Sequence, residues 1–284
     1  MANADYAPGG LYRAPIVLWV EDVLTRAYLS TLWNDARFQY LVAGGNEGVR
    51  VMVDSARVEG FLNVFGVVDR DDGTSNVERW AAPDGPPSVC RLPVHEIENY
   101  LLDGESLARS RYNNREPQCS ADDIERFMKG KAVGLLWYTA CRQTLNEIKI
   151  RFQADFPGKP PQDLASRDAA LRRVCNTSWY RNLKANAEGT SPEKIDDLLK
   201  KWGERCEKSL GDKRWKSDFT AKEILADAVS RFCDRPRMTD PTDSAAVYTD
   251  IAQDVAERQR DESRMDPDLA ALKDAFANWL KRNG

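Results

Sequence analysis

The sequence predicts an α/β fold, in which a mostly parallel sheet flanked by helices is followed by an all-helical C-terminal domain. Two apolar runs rich in Val and Ile, at residues 14–20 and 63–68, are typical of strands buried on both faces. Helical periodicity separates these runs, as expected for right-handed crossovers between parallel strands. After residue 104 the strand patterns largely stop, and helix start and stop signals take over.

The first 104 residues alternate between strand and helix. Strands are predicted at 14–20, 40–43, 63–68 and 88–92, with a polar loop containing Gly and Pro at 72–87. Helices are predicted at 22–34 and 47–57, because apolar residues recur there on one face. The residues expected to face inward are Val23, Leu24, Ala27, Tyr28 and Leu32 in the first helix and Val49, Met52, Val53 and Ala56 in the second.

The rest of the chain is predicted to be helical. A long helix begins after Ser120, with Asp123 beside its start, and reaches about residue 156, where a Pro-rich segment at 157–161 ends it. Further helices are expected after residues that commonly cap a helix start. These caps are Ser166, Ser191 before Pro192, Thr220 with Glu223, Asp240 before Pro241, and Asp266 before Pro267.

Charge is distributed unevenly along the chain, whose formal net charge is −4. Acidic residues outnumber basic ones in residues 1–104, whereas residues 105–284 carry a slight basic excess. This asymmetry permits a nucleic-acid partner, which the net charge alone does not indicate. No apolar stretch is long enough for a membrane span and no signal-peptide pattern begins the sequence, so we expect a cytoplasmic protein that does not enter a membrane.

Histidine and cysteine usage excludes several classes of enzyme. The chain has one histidine, His95, and six cysteines that form no CxxC pair. This composition argues against zinc fingers and His-based zinc enzymes, and the lack of a GxSxG motif argues against a Ser-His-Asp hydrolase. We expect the cysteines to be reduced.

Carboxylates follow two of the predicted strands at the point where each strand ends. Glu21 follows the first strand, and Asp69 and Asp71 follow the strand at 63–68. The carboxyl ends of parallel strands meet at one edge of a sheet, so these side chains should share one crevice. Clustered carboxylates repel one another unless a cation neutralises them, and Mg²⁺ prefers oxygen ligands. The functional interpretation is a Mg²⁺ site, and the alternative is an acidic, solvated turn that caps a helix.

Two further short motifs could contact phosphate. Gly44 and Gly45 lie between a strand and a helix, where backbone N–H groups can bind phosphate, although such turns use glycine in any case. Lys131, in a Gly-Lys pair, could offset charge in a transition state. An exposed helix face is an equally good interpretation of that lysine.

The segment 95–102 contains a second acidic pair, Glu96 and Glu98. One of them could join the metal site, and the other could occupy a helix N-terminus, where a negative charge is favourable. His95 beside them is more often structural than catalytic in such a position.

The segment 172–216 is basic and contains Trp179, Tyr180, Trp202 and Trp215. Basic residues mixed with aromatic ones can bind phosphates and stack on bases, but most helical Trp side chains belong to a core or an interface. Arg181 and Lys184 are the candidate nucleic-acid contacts in this segment.

The order of these motifs resembles a known family. Val-Glu-Asp after the first strand, Gly44-Gly45 after the second, Asp69-Arg70-Asp71 after the third, the segment 95–102 and Gly130-Lys131 are similar in order to the TOPRIM domain. The resemblance covers about residues 14–135 and is to TOPRIM nucleases of the OLD-like type and of the AriB-like type, the effectors of PARIS anti-phage systems. It implies a TOPRIM, Rossmann-like sheet. Asp22 departs from the family pattern, which usually has Gly there.

The resemblance also implies roles for individual residues. Glu21 would be the metal-linked acid/base, and Asp69 and Asp71 would be metal ligands. Glu98 would lie at a second metal, and Lys131 would be the basic residue. Residues 1–104 would then form the catalytic domain, and residues 105–284 a helical domain that binds a partner or nucleic acid.

The function implied is a Mg²⁺-dependent endonuclease, with Mn²⁺ able to substitute, that acts as a toxin-like effector in anti-phage defence. Its substrate would be RNA such as tRNA, or DNA. An ATPase partner protein and a homodimer are further expectations. One alternative is a TOPRIM-fold regulatory or binding subunit that does not cleave, and another is a primase-like phosphotransfer enzyme that uses the same metals.

Overall fold

Four parallel strands form a sheet in the order β2-β1-β3-β4 in the computed structural model, which describes residues 11–71, 73–113, 118–151, 185, 187, 191–212, 214–233 and 244–283. The strands are β1 (Ile16–Val20), β2 (Phe38–Val42), β3 (Val64–Val68) and β4 (Val89–Arg91). Each lies within two residues of its predicted position. The all-parallel arrangement confirms the predicted α/β class.

The two central strands explain the two apolar runs of the sequence. Every residue of β1 and β3 is buried, because helices cover both faces of the sheet at its centre. Val17 of β1 pairs with Val64 of β3, and Val20 pairs with Val67, so both strands end at the same edge. The chain leaves β1 toward β2 on one side and returns to β3 on the other. The strand order therefore reverses between β1 and β3, which makes this edge a topological switch point.

Two helices connect these strands, α1 (Val23–Trp33) and α2 (Asn46–Val58). Most of the residues predicted to face inward are buried, but Val23 and Met52 are not, with exposed fractions of 39% and 37%. Val23 is the first helical residue, beyond the stripe that meets the sheet, and Met52 lies at the edge of the stripe formed by Val49, Val53 and Ala56.

Helix α2 packs closely on β3 because that strand has a glycine at the contact. A Cβ atom at Gly66 would lie 2.5 Å from Cγ1 of Val49, too close for any side chain. Val49 and Val53 belong with residues of β1 and β3 to one buried cluster. This packing fixes the position of α2, whose N-terminus lies at the switch-point edge.

The C-terminal part of the described chain is helical, as predicted. Its helices are α3 (Gly104–Ala108), α4 (Ala121–Gly134), α5 (Leu136–Arg151), α6 (Pro192–Gly211), α7 (Trp215–Asp218), α8 (Ala221–Phe232), α9 (Ser244–Asp261) and α10 (Pro267–Asn283). The prediction of one helix from Ser120 to about residue 156 is wrong in one respect, since the helix is interrupted between α4 and α5.

Several of the predicted helix caps are present. The N–H of Asp123 donates to Oγ of Ser120, that of Lys194 to Oγ of Ser191, and that of Asp268 to Oδ1 of Asp266. Each side chain satisfies a backbone donor that the first helical turn leaves free. The caps predicted at Ser166 and Asp240 lie outside the described residues.

The chain divides into two compact units, one formed by Met1–Ala132 with Lys216–Gly284 and the other by Val133–Trp215. This division differs from the predicted boundary after residue 104, because the last helices pack on the sheet. The hydroxyl of Tyr28 in α1 donates to Oε1 of Gln259 in α9 at 2.7 Å. Phe276 of α10 packs against aromatic rings that include Phe38 and Phe65 of the sheet.

Two expectations about cellular context can be compared with the structure. Within the described ranges, no helix has the length and hydropathy needed to cross a membrane. No disulfide joins the described cysteines, which are Cys90, Cys119, Cys141, Cys206 and Cys233. Cys175 lies outside the described residues.

Candidate active site

The switch-point edge brings Glu21 and Asp69 together. Glu21 follows β1 directly and Asp69 follows β3, so adjacent parallel strands present both residues at one edge. The backbone N–H of Asp69 donates to Oε1 of Glu21 at 2.9 Å. The carboxylate of Glu21 thus contacts the backbone of Asp69, as expected for residues at the ends of adjacent parallel strands.

Both carboxyl groups lie in surroundings that disfavour negative charge. Asp69 is only 7% exposed, and burial followed by the charges of Glu21 and Glu98 raises its pKa well above the ordinary value. Burial also raises the pKa of Glu21, and the charge of Asp71 adds to this, although the N–H of Asp69 acts in the opposite direction. Burial and the neighbouring carboxylates therefore disfavour the ionised form of both acids.

Asp71 lies in an unusual turn that His95 holds in place. Its φ of 49° places it in the left-handed region, which Asp tolerates better than most residues. Its N–H donates to the carbonyl of His95 at 2.8 Å, and its own carbonyl lies 2.7 Å from Nδ1 of the imidazole. His95 is buried, and its backbone N–H donates to the carbonyl of Ser217. These contacts agree with a structural role for His95.

Arg70, between the two aspartates, joins the turn to a distant part of the chain. Its guanidinium donates to the carbonyls of Pro93 and Ser217, and it lies 3.6 Å from a carboxylate oxygen of Asp218. The residues just before α8 are therefore attached to the end of β3. This attachment brings the start of α8 to the carboxylates.

Glu96, one of the two acids expected at a helix N-terminus, caps its own short helix at Ile97–Leu101 and also the start of α8. Its Oε1 accepts hydrogen bonds from the hydroxyl of Thr220 and from the N–H groups of Ala221 and Lys222, at 3.0, 2.5 and 2.7 Å. Thr220 was predicted to form a capping box with Glu223, but its side chain accepts no backbone N–H. A carboxylate at a helix N-terminus satisfies these donors and interacts favourably with the helix dipole.

Glu98, the second acid of that segment, is 5% exposed and incompletely paired. Burial and the charge of Glu96 raise its pKa to about 7, although Lys222 lowers it. Nζ of Lys222 lies 3.7 Å from Oε1 of Glu98, while Oε2 is buried and has no hydrogen-bond partner in the described structure. The charge of Glu98 also acts on Asp69, so the two acids belong to one electrostatic cluster.

Lys222 is the functional candidate that sequence reasoning missed. Burial would lower its pKa, but the charges of Glu98 and Glu96 prevail and raise it. Lys131, which was predicted to offset charge, instead pairs with Asp227 at 2.7 Å. The start of α8 was predictable from Thr220 and Glu223, but nothing in the sequence indicated that Lys222 would lie beside carboxylates more than a hundred residues earlier.

The glycine pair lies beside Glu21 at the same edge. Gly44 and Gly45 have φ values of 84° and 130°, which other residues rarely adopt, and the N–H of Gly44 donates to the carbonyl of Glu21 at 2.9 Å. Gly45 precedes α2 without any side-chain cap, and the space around both Cα atoms is open. This turn could therefore receive a phosphate of a bound substrate.

Asp22, where the TOPRIM pattern usually has Gly, has a local role as a helix cap. Its Oδ1 accepts the N–H of Thr25 at 2.8 Å, so it is the N-cap of α1 rather than the first helical residue. This is an ordinary role for an aspartate that follows a strand and precedes a helix.

The predicted basic and aromatic surface is only partly described. Arg181, Lys184, Trp179 and Tyr180 lie outside the described residues. Trp215 is buried, and the indole N–H of Trp202 donates to Glu147 at 3.0 Å. Lys201 and Arg205 lie over the ring of Trp202. Because it is buried, Trp215 is a core residue, which was the alternative to a role in nucleic-acid binding.

The comparisons leave the family open. No family model matches the chain, and no match was found among the curated proteins. Among the residues that are described, no group of three or more His, Cys, Asp and Glu side chains is arranged to hold a metal ion.

Proposed function

We propose that this protein is a metal-dependent nuclease whose active site lies at the carboxyl ends of β1 and β3. The observation that carries the proposal is the contact between Glu21 and Asp69 at the topological switch point. In open α/β sheets, ligands bind at this position. Burial of several carboxylates without enough positive charge is costly in a purely structural role, which favours a functional one.

Glu21 and Asp69, which lie in contact at this edge, are the residues that would hold a divalent cation, and Asp71, at the end of the same strand, is the third candidate. Their donor chemistry fits Mg²⁺, which takes carboxylate oxygens and water, and a cation there would offset the burial and the mutual repulsion that raise the pKa values of Glu21 and Asp69. We leave Glu98 out of this set because Lys222 lies beside it. The bound metal would lower the pKa of a water molecule and stabilise charge on a phosphoryl group.

The chain's own groups supply the rest of the chemistry. In phosphodiester hydrolysis the oxygen of water bonds to phosphorus as the bond from phosphorus to the leaving oxygen breaks. Glu21 would accept the proton from the water, and the leaving oxygen would take a proton from solvent. Lys222 would offset negative charge developing on the phosphoryl oxygens. The backbone N–H groups of the first turn of α2, which no side chain caps, would bind a neighbouring phosphate.

The substrate class and biological role extend the same proposal. The substrate would be RNA such as tRNA, or DNA. The protein would act as a toxin-like effector in anti-phage defence. It would form a homodimer and bind an ATPase partner protein. The motif order at residues 14–135 supports these points. Toxicity on expression, compared for the wild type and Glu21→Ala, addresses the role directly.

Cleavage by the purified protein tests the proposal. End-labelled tRNA, other RNA and DNA would be incubated with the protein and Mg²⁺ or Mn²⁺, alongside Glu21→Gln and Asp69→Asn. Glu59→Gln is the matched control, since Glu59 is exposed and follows α2 at the opposite end of that helix from the site. We expect cleavage by the wild type and control only. Binding of nucleic acid without cleavage, by wild type and both variants alike, would support the regulatory alternative instead.

A further inference from the structure

A cavity of about 350 Å³ opens beside the carboxylate cluster, between the starts of α1 and α8 and helix α9. Its walls are mostly apolar and include Val23, Leu24, Leu225 and Tyr248. Glu98 and Lys222 also line it. Val23, which was predicted to face inward but is exposed, is one of the residues that line this cavity.

Glu98, one of the polar residues that line the cavity, has a carboxylate oxygen without a partner in the described part of the chain. Oε2 of Glu98 is buried and has no hydrogen-bond partner among the described residues, and Nζ of Lys222 lies 3.7 Å from Oε1. A buried polar oxygen without a partner is costly, and native structures rarely keep one without a reason. A ligand that donates hydrogen bonds to Glu98 would remove this cost.

We propose that the cavity binds a guanine base of the substrate next to the scissile phosphate. This inference rests on the proposed nuclease function for its biological meaning, but the binding site itself is a separate claim. Apolar walls with a few convergent polar groups are typical of sites for small planar ligands, and the volume is at the lower end of their range. Tyr248 offers a ring on which a base can stack.

The choice of guanine follows from the order of donors and acceptors on its edge. Guanine presents two neighbouring donors, the N1–H and the exocyclic amino group, which match the two oxygens of one carboxylate. Its O6 acceptor lies next to these donors, where an ammonium group such as that of Lys222 could donate to it. Adenine, cytosine and uracil each place an acceptor beside their single Watson–Crick donor, so they would leave one oxygen of Glu98 unpaired.

Nucleotide binding without metal tests this site independently of cleavage. The dissociation constants of GMP, AMP, CMP and UMP would be measured by calorimetry for the full chain at about pH 8, where both oxygens of Glu98 are acceptors. We expect GMP to bind at least about tenfold more tightly than the others, because the alternatives leave a buried acceptor unpaired. Equal affinities for the four nucleotides, or no binding of GMP at millimolar concentration, would overturn the proposal.

Variants locate the binding in this cavity. Glu98→Gln should abolish the preference for GMP, and Tyr248→Ala should weaken binding about tenfold through lost stacking. Ala226→Phe, which fills the cavity from its wall, should block binding even if Glu98→Gln fails to fold. Leu62→Ala, at an exposed residue before β3, is the control and should bind GMP as the wild type does. Unchanged GMP binding by Ala226→Phe would place the site elsewhere and refute the assignment.

The two proposals can fail separately. Cleavage that depends on Glu21 but shows no preference for guanine, with equal nucleotide affinities, would refute the guanine site and leave the nuclease intact. Selective GMP binding that Glu98→Gln removes, in a protein that cleaves nothing, would support the site and refute the nuclease.

Discussion

The backbone N–H of Asp69 donates a hydrogen bond to the carboxylate of Glu21 across the topological switch point of the sheet. Adjacent parallel strands hold both residues, so their separation is set by strand pairing rather than by flexible loops. A site built on such strands is rigid, which favours the fixed geometry that catalysis requires. Around this contact, burial raises the pKa of both Glu21 and Asp69.

Asp69→Asn should stabilise the metal-free protein while it abolishes cleavage. The substitution removes a buried negative charge that has too little compensation, and the gain at neutral pH should be about 1 kcal/mol in the free energy of unfolding. Urea denaturation in EDTA measures this quantity, with Asp54→Asn, at an exposed position of α2, as control. A clear loss of stability would mean that the charge of Asp69 is well compensated in the fold.

Addition of Mg²⁺ should stabilise the wild-type protein through the same carboxylates. A ligand that binds only the folded state at a hundred times its dissociation constant adds about 2.7 kcal/mol, which would raise the melting temperature by several degrees. Glu21→Gln and Asp71→Asn should show smaller shifts. If Mg²⁺ and Mn²⁺ leave the melting temperature of the wild type unchanged, the proposed metal site is wrong.

Glu96→Ala should destabilise the fold by about 2 kcal/mol, because it leaves the N–H groups of Ala221 and Lys222 at the start of α8 without their acceptor. Glu223→Ala is the matched control and should cost well under 1 kcal/mol, since Glu223 accepts only the hydroxyl of Thr220 among these contacts. Chemical denaturation compares the two variants. A larger loss of stability for Glu223→Ala than for Glu96→Ala would support the capping box of Thr220 and Glu223 that was predicted from the sequence.

Stability should depend on pH through Glu98, whose pKa burial raises to about 7. The folded protein keeps this carboxyl protonated between its ordinary pKa and about 7, whereas the unfolded chain has released the proton. The stability contributed by the neutral form is therefore complete at low pH and is lost as the pH rises to 7. Relative to Glu98→Gln, the wild type should lose about 1–3 kcal/mol between pH 4.5 and pH 7.5 in metal-free buffer. A pH-independent difference between them would contradict this assignment.

Lys222→Ala should slow cleavage by about 10- to 100-fold, as expected for the loss of one electrostatic contact in the transition state. The control is Lys281→Ala, in the last turn of α10 and exposed. Single-turnover rates on the same substrate compare them. A larger loss for Lys131→Ala than for Lys222→Ala would instead favour the basic residue that the family resemblance implies.

Local patterns in the sequence determined most of the fold. Residues 14–20 and 63–68 could be recognised as strands because central parallel strands are buried on both faces and so must be apolar throughout. The caps at Ser120, Ser191 and Asp266 were equally local, since each side chain bonds to a backbone group two or three residues away. The pairing of Glu21 with Asp69 followed from strand order, which the crossover rules restrict to few choices.

The tertiary structure alone decided which cation meets these acids and which acid caps which helix. Lys222 and Glu96 are separated by more than a hundred residues, and their meeting depends on Arg70 and His95, which attach the end of β3 to the segment before α8. Helical periodicity and capping preferences describe neighbours within one or two turns, so they carry no information about such contacts. For this reason the sequence by itself determined the sheet and its acidic edge, whereas folding decided the partners and the cavity beside them.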